Sequence, residues 1–120
     1  IGRHEGFERV VFELDGGGAP GWFVDYADTP TQQGSGKTID YSGVTALNVN
    51  IDGVVYPFEA GKDDPRIGVV DAPTEGIVTQ VVNGGTYEGR CQFVIGMTSR
   101  KPYSVQVLDN PTRLVVDIRD

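Results

Sequence analysis

Strict alternation of apolar and polar residues recurs at least six times along this sequence of 120 residues, and it restricts the fold more than any other feature. In an extended strand, successive side chains point to opposite faces, so a period of two predicts strands with one buried face. One polar face per strand is typical of antiparallel sheets that pack on one side. The apolar residues of the six runs are Val10, Phe12 and Leu14; Trp22, Val24 and Tyr26; Leu47, Val49 and Ile51; Cys91, Phe93, Ile95 and Met97; Tyr103, Val105 and Val107; and Leu114, Val116 and Ile118.

Turn-forming residues separate these runs. The Asn-Gly-Gly triplet at 83–85 predicts a hairpin turn, because both central residues of a type I′ turn need a positive φ. Asp-Asn-Pro-Thr at 109–112 predicts a second reversal, and the glycine-rich stretch 15–21 predicts a flexible connector. Residues 57–76 contain three prolines and alternate poorly, so we expect a long loop there, with a short helical turn near 63–67.

The spacing of strands and turns predicts a single all-β domain over residues 1–120, a two-sheet β-sandwich of about seven mostly antiparallel strands. A single sheet would leave its apolar face in water, and a chain of this length suffices for one core. The segments RVVFELD at 9–15 and RLVVDIRD at 113–120 share an arginine, an apolar run and an acid. Two explanations stay open: chance similarity of short strands, and pairing of the first and last strands in one sheet.

The net charge of −7, from 17 acidic and 10 basic residues, opposes binding to nucleic acid and to anionic lipid. Residues 90–120 depart from this balance, with more basic than acidic residues. We expect ordinary solvated surface there, with a local anion-binding patch as the alternative. No apolar run approaches the ~18 residues of a membrane helix, so no transmembrane segment is predicted in this chain. The basic residues within 90–120 are Arg90, Arg100, Lys101, Arg113 and Arg119.

Catalytic and metal-binding residues are scarce. His4 is the one histidine and Cys91 the one cysteine, so a usual zinc site cannot be assembled, and any triad would depend on a histidine in the first few residues. Cys91 alternates in phase with Phe93 and is expected to be a buried structural thiol. The sequence thus predicts no catalytic residues, no metal site, no cofactor and no enzyme activity. A hydrolase with scattered carboxylates is a minor alternative.

Several segments, taken in order, make the sequence familiar. It resembles the AMIN-like domain of actinobacterial secreted proteins and lipoproteins, and more distantly the AMIN domain of bacterial envelope proteins. The matches run along nearly the whole chain, and the most specific is the closing P-x-R-L-V-V-D-I segment. The matching segments are GFERVVFEL at 6–14, residues 43–49, YEG at 87–89, FVIG at 93–96, PYSV at 102–105 and PTRLVVDI at 111–118.

The resemblance implies a two-sheet β-sandwich outside the cytoplasm, in the cell envelope or secreted, with a lipid anchor on the full-length precursor left open. AMIN domains are non-catalytic and direct cell-wall amidases or secretin complexes to the envelope, with peptidoglycan as a ligand. We therefore expect a binding module that recognises peptidoglycan or another cell-wall component. The alternative is a protein–protein interaction module of an envelope lipoprotein, whose contact would be an exposed strand edge or residues 57–76. The expected partner is a cell-wall glycan or peptide, or an envelope protein.

Four residues are the candidates for the ligand site. Arg100 and Lys101 stand in the turn before Tyr103, where a cation beside an aromatic ring could meet a carboxylate of a wall peptide. Tyr87 follows a predicted turn and offers a flat ring for a sugar or peptide. Trp22 and Tyr26, by contrast, share a face with Val24 and are expected to pack in the core.

Overall fold

The computed structural model describes residues 2–13, 21–32, 36–52, 69–72, 76–87, 90–108 and 113–119. These residues form strands and no helix, so none of them could cross a membrane as an apolar helix. Seven strands have six residues or more, and the other two have three each. The strands are β1 (Gly2–His4), β2 (Phe7–Glu13), β3 (Gly21–Tyr26), β4 (Thr45–Asp52), β5 (Val69–Asp71), β6 (Val78–Tyr87), β7 (Arg90–Met97), β8 (Tyr103–Leu108) and β9 (Arg113–Arg119).

The strands form two sheets in which every neighbouring pair is antiparallel. Sheet A has the order β1-β2-β9-β8, and sheet B has the order β3-β4-β7-β6-β5. The predicted all-β sandwich is confirmed. The seven longer strands match the predicted number, whereas β1 and β5 are too short for alternation to be recognised in the sequence.

The main core lies between the sheets and is built from the alternating residues of the central strands. β9 contributes Leu114, Val116 and Ile118, none of which has exposed surface. The predicted inward residues of β4 and β7 are equally buried at Leu47 and Ile95. These strands are covered on both sides by neighbours, so their inward side chains are fully removed from water, which is the largest favourable term in folding.

β2 and β9 pair along their whole length, with Val10 opposite Val116, so the similar segments at the two ends of the chain do lie side by side. On the outer face of this pair, Arg9 donates two hydrogen bonds to Asp117, from Nε at 2.7 Å and from a terminal nitrogen at 3.0 Å. Residues near the two ends of the chain therefore hold the centre of sheet A together.

The Asn-Gly-Gly triplet at 83–85 is not a turn, and that prediction is wrong. β6 runs through it with a register shift between Asn83 and Gly85, and the reversal comes later, because Tyr87 pairs with Arg90. The glycine serves packing instead. A Cβ atom on Gly84 would lie 2.9 Å from Ile39 Cδ1, so a larger residue would collide with a side chain that covers the sheet.

The other predicted connections have mixed outcomes. β8 and β9 form a hairpin in which Leu108 pairs with Arg113, as a reversal at 109–112 requires, although those four residues lie outside the described part. The long loop predicted at 57–76 is wrong in part, since β5 lies within it and pairs with β6. Residues 53–68, with the predicted helical turn, and most of the connector at 15–21 are not described.

A second, smaller apolar cluster covers the outer face of sheet B. Ile39 lies on Ala46, Val82 and Val94, with Tyr41 packed beside it. Gln92, buried on the same face, donates from Nε2 to the Thr31 carbonyl at 2.8 Å. The described residues between β3 and β4 thus cover the outer face of sheet B, which the two sheets alone would leave exposed to water.

Two side chains differ from their predicted environments. Trp22 is 45% exposed, so its predicted place in the core is wrong, because it lies near the start of an edge strand that pairs on one side only among the described residues. Cys91 is partly rather than fully buried, and burial raises the pKa of its thiol, which is the opposite of what a nucleophilic cysteine needs.

Candidate functional site

The edge strands β3 and β8 lie on the same side of the sandwich and are joined by two tyrosines. The Tyr103 hydroxyl donates to the Val24 carbonyl at 2.9 Å, across the gap between the sheets. The Tyr26 hydroxyl donates to the Lys101 carbonyl at 2.5 Å and accepts from the Lys101 amide at 2.7 Å. These bonds fix the turn before β8 against the end of β3.

Arg100 projects from that turn over the ring of Tyr26, with its guanidinium carbon 5.2 Å from the ring centroid. One terminal nitrogen lies 3.3 Å from Asp28 Oδ1, and both side chains of this pair are more than half exposed. A cation over an aromatic face is attracted to it, and the planar guanidinium stacks well there. The guanidinium is therefore oriented but accessible to solvent. We call Tyr26, Asp28, Thr45, Arg100 and Lys101 the Arg100 cluster.

Asp28 is held from a second direction. The Thr45 hydroxyl donates to Asp28 Oδ1 at 2.6 Å. This hydrogen bond, and next the one from Arg100, hold the pKa of Asp28 below its ordinary value, so the carboxylate is charged at neutral pH. The Tyr41 hydroxyl donates to the Asp28 carbonyl at 2.7 Å, and burial, with the charge of Asp28, raises the pKa of Tyr41.

The turn that carries Arg100 is anchored by backbone bonds on both sides. Thr98 donates to the Ile77 carbonyl at 2.9 Å, and Arg119 donates to the Pro102 carbonyl at 2.9 Å. The chain before β4 also crosses here, where Gly43 has a φ of 135° and no room for a Cβ against the Met97 backbone. A polar turn fixed at both ends presents Arg100 on a rigid support.

The structure brings together three of the four predicted site residues. Arg100 and Lys101 share the turn, and Tyr103 follows it, with its ring edge-on to Tyr26 at 5.7 Å between centroids. The hydroxyl of Tyr103 is used by the fold, and burial raises the pKa of this tyrosine. Tyr87 is separated from them, because its backbone ends β6 opposite Arg90, seven residues or about 23 Å along the strand from Met97.

Sequence reasoning missed Asp28 and Thr45 of the Arg100 cluster, and it assigned Tyr26 to the core, against which this partly buried side chain does pack. Tyr26 and Lys101 are 75 positions apart in the chain, and Asp28 and Arg100 are 72 apart, so no local pattern predicts these contacts. It also missed Phe23, which is 62% exposed on β3. A large exposed aromatic in a strand would have been a signal only if the edge position of that strand had been known.

The described residues contain no group of three or more histidine, cysteine, aspartate or glutamate side chains that could hold a metal ion. His4 lies in β1 and stacks on Phe7, with 4.8 Å between ring centroids. What the site offers chemically is an exposed guanidinium, a lysine and aromatic surface, a set suited to binding a ligand that carries a carboxylate.

The family model of the AMIN-like domain matches residues 1–120. No curated protein matches the chain significantly, and no solved structure does. AMIN-like domains occur in envelope-associated proteins and are generally non-catalytic binding modules, which supports a location outside the cytoplasm. The match spans the full sequence, and the sandwich agrees with it: the chain belongs to the AMIN-like domain family.

Proposed function

We propose that this domain is a non-catalytic module that binds a cell-wall component, with peptidoglycan as the first candidate. It would act outside the cytoplasm, either secreted or held by a lipid anchor on its full-length precursor. Membership of the AMIN-like family supports the envelope setting. The observation that carries the proposal is the exposed guanidinium of Arg100, oriented by Tyr26 and Asp28.

Arg100 suits a carboxylate of a wall peptide. A guanidinium has five N–H donors in a planar fork that matches both oxygens of a carboxylate. The nitrogen and oxygen of the Arg100–Asp28 ion pair are 3.3 Å apart, and both side chains are more than half exposed. Such an exposed pair is weak, so a ligand carboxylate can share Arg100 with Asp28 or replace Asp28. Lys101, the next residue in the chain, adds a second positive charge.

The glycan part of such a ligand could use the aromatic residues of β3. Phe23 is 62% exposed and Trp22 is 45% exposed, on opposite faces of this edge strand. Flat rings stack on the apolar faces of sugars and lose little conformational entropy when they do so. Trp22 lies on the same face of β3 as Tyr26 and precedes it by four residues, about 13 Å along the strand, so one extended ligand could make a sugar contact at Trp22 and a peptide contact at Arg100.

The test is co-sedimentation of the purified domain with purified peptidoglycan at low and moderate salt. The double variant Arg100→Ala/Lys101→Ala is compared with Lys37→Ala/Arg113→Ala, which removes the same charge outside the Arg100 cluster. We expect the wild type and the control to sediment, and the Arg100 variant to lose most of its binding. Wild-type protein that stays in solution at both salts would exclude wall binding.

A protein-interaction module is the second candidate function, and one observation favours it. The free edge of β8 is paired with no other strand among the described residues. Retention of one defined partner from envelope extracts, without sedimentation on peptidoglycan, would support this candidate instead.

A further inference from the structure

Each sheet of the described structure has two edge strands, and they differ in how well they are protected. β1 and β5 have three residues each, too short to accept a long added strand. β3 has six, but the Tyr103 hydroxyl occupies the carbonyl of Val24 at its centre, and Asp25 adds a charge. β8 also has six, with the sequence YSVQVL, without charge, proline, glycine or bulge. Edge strands of natural proteins usually carry charges, prolines or bulges, which keep other strands from pairing with them.

The free edge of β8 presents a regular row of backbone groups. The Arg119 amide donates to the Pro102 carbonyl, so residue 102 faces β9 with its hydrogen-bonding groups. Antiparallel pairs alternate, and Ser104 and Gln106 therefore also bond to β9. The N–H and C=O groups of Tyr103, Val105 and Val107 point away from β9, towards the free edge.

The inward side chains of β8 are also incompletely covered. Tyr103, Val105 and Val107 pack against the core, yet all three are only partly buried, whereas their partners on β9 are fully buried. A strand added at this edge would cover this apolar row with its own inward side chains. The occupant must therefore be an extended segment with alternating apolar residues.

We propose that the occupant is β8 of a second copy of this chain, so that two sheets A join across a two-fold axis into one sheet of eight strands. The register is given by the edge itself. With Val105 opposite its own copy, Tyr103 faces Val107 of the other copy, and all the outward backbone groups of these residues meet in hydrogen-bonded pairs. The inward face then carries aromatic–valine and valine–valine pairs, which are favourable across strands.

The outer face of β8 agrees with the same register. Ser104 and Gln106 are both exposed, and each would lie opposite the other residue of the second copy, a neutral polar pair. No charge of one β8 meets a like charge of the other, because the strand has none. A symmetric dimer needs one self-complementary patch of this kind. The proposal does not depend on wall binding.

The outer-face pair allows a test by charge exchange. In Ser104→Lys/Gln106→Lys, each introduced lysine would face a lysine of the other copy; in Ser104→Lys/Gln106→Glu, each would face a glutamate. Both positions are exposed, so both variants should fold, which circular dichroism checks. Sedimentation velocity over a wide concentration range should show a wild-type dimer, a dimer about tenfold weaker in the first variant, and a dimer retained in the second.

Amide hydrogen exchange gives an independent measurement. Exchange at Val105 and Val107 should slow as the protein concentration rises, whereas Ser104 and Gln106, already bonded to β9, should change little. A wild-type chain that stays monomeric at every concentration would overturn the proposal. A dimer that both charge variants form equally well, or one that leaves the Val105 amide unprotected, would also overturn it, because it would use another surface.

Discussion

Tyr26 shows how one side chain can organise a surface site. Its hydroxyl bonds both backbone groups of Lys101, and its ring lies beneath the guanidinium of Arg100. Tyr103, which the sequence suggested as a ligand contact, instead joins the two sheets through its hydroxyl. In the proposed site the ligand would therefore meet Arg100 and Lys101, while the two tyrosines hold their turn in place.

Asp28 gives a prediction at the same scale. Thr45→Val should raise the pKa of Asp28 towards its ordinary value, because the hydrogen bond from the Thr45 hydroxyl is the largest single cause of its depression; Arg100→Ala should raise it too, since it removes both a hydrogen bond and a positive charge. The folded pKa lies below the unfolded one. The contribution of Asp28 to stability is thus complete above about pH 4, the unfolded pKa, and is lost as pH falls through the folded value. An NMR titration of the carboxyl carbon measures the pKa; an unchanged pKa in Thr45→Val would contradict the role assigned to its hydroxyl.

At the scale of elements, the layer that covers sheet B depends on close backbone approach. The Ser42 carbonyl lies over Gly96 in β7 and accepts a hydrogen bond from the Thr79 hydroxyl. Val44 donates to the Met97 carbonyl at 2.8 Å in the same crossing. β7 can therefore carry no side chain at this point, although its pattern of alternation continues on both sides.

We expect Gly96→Ala to lower the free energy of unfolding by about 1–3 kcal/mol, the usual cost of overpacking. Its Cβ would collide with the Ser42 carbonyl oxygen and lie 2.8 Å from Thr79 Oγ1. The matched control is Gly21→Ala, where the nearest atom is at 3.5 Å, an ordinary contact, and stability should hardly change. Urea unfolding compares the two. Equal stability of both variants would show that the covering segment can move aside.

For the molecule as a whole, polar groups join the sheets at both sides of the apolar core. Tyr103 and Tyr26 join them where β3 and β8 meet. On the other side Glu8, on β2 and only 2% exposed, accepts hydrogen bonds from the Ile77 amide at 2.7 Å and the Val78 amide at 3.2 Å, at the start of β6. These directed bonds add to the apolar core in fixing the position of one sheet relative to the other.

Replacing Glu8 by glutamine should therefore destabilise the entire domain. An amide has one oxygen, so one of the two backbone N–H groups would lose its acceptor, at a cost of about 1.5–3 kcal/mol for a hydrogen bond to a charged group. Glu5→Gln, on an exposed residue of the preceding turn, is the control and should unfold like the wild type. Thermal or urea unfolding decides. A Glu8→Gln domain as stable as the control would mean that the carboxylate is not needed at this junction.

The sequence by itself determined six of the strands, most of their buried faces and the two-sheet class, because alternation is a local property that any extended strand displays. It also placed Arg100, Lys101 and Tyr103 together, since they are neighbours in the chain. It could not distinguish a turn from a bulge at 83–85, because Gly84 packs against Ile39, a residue distant in sequence.

Only the tertiary structure decided what depends on strand order. It placed β3 and β8 at adjacent edges, exposed Trp22, brought Tyr26 and Asp28 under Arg100, and left β8 paired on one side only within the described part of the chain. These outcomes depend on contacts between residues far apart in the chain. Hydrophobic burial and hydrogen bonding through those contacts determine which strands become neighbours. Local residue patterns do not predict which strands become neighbours.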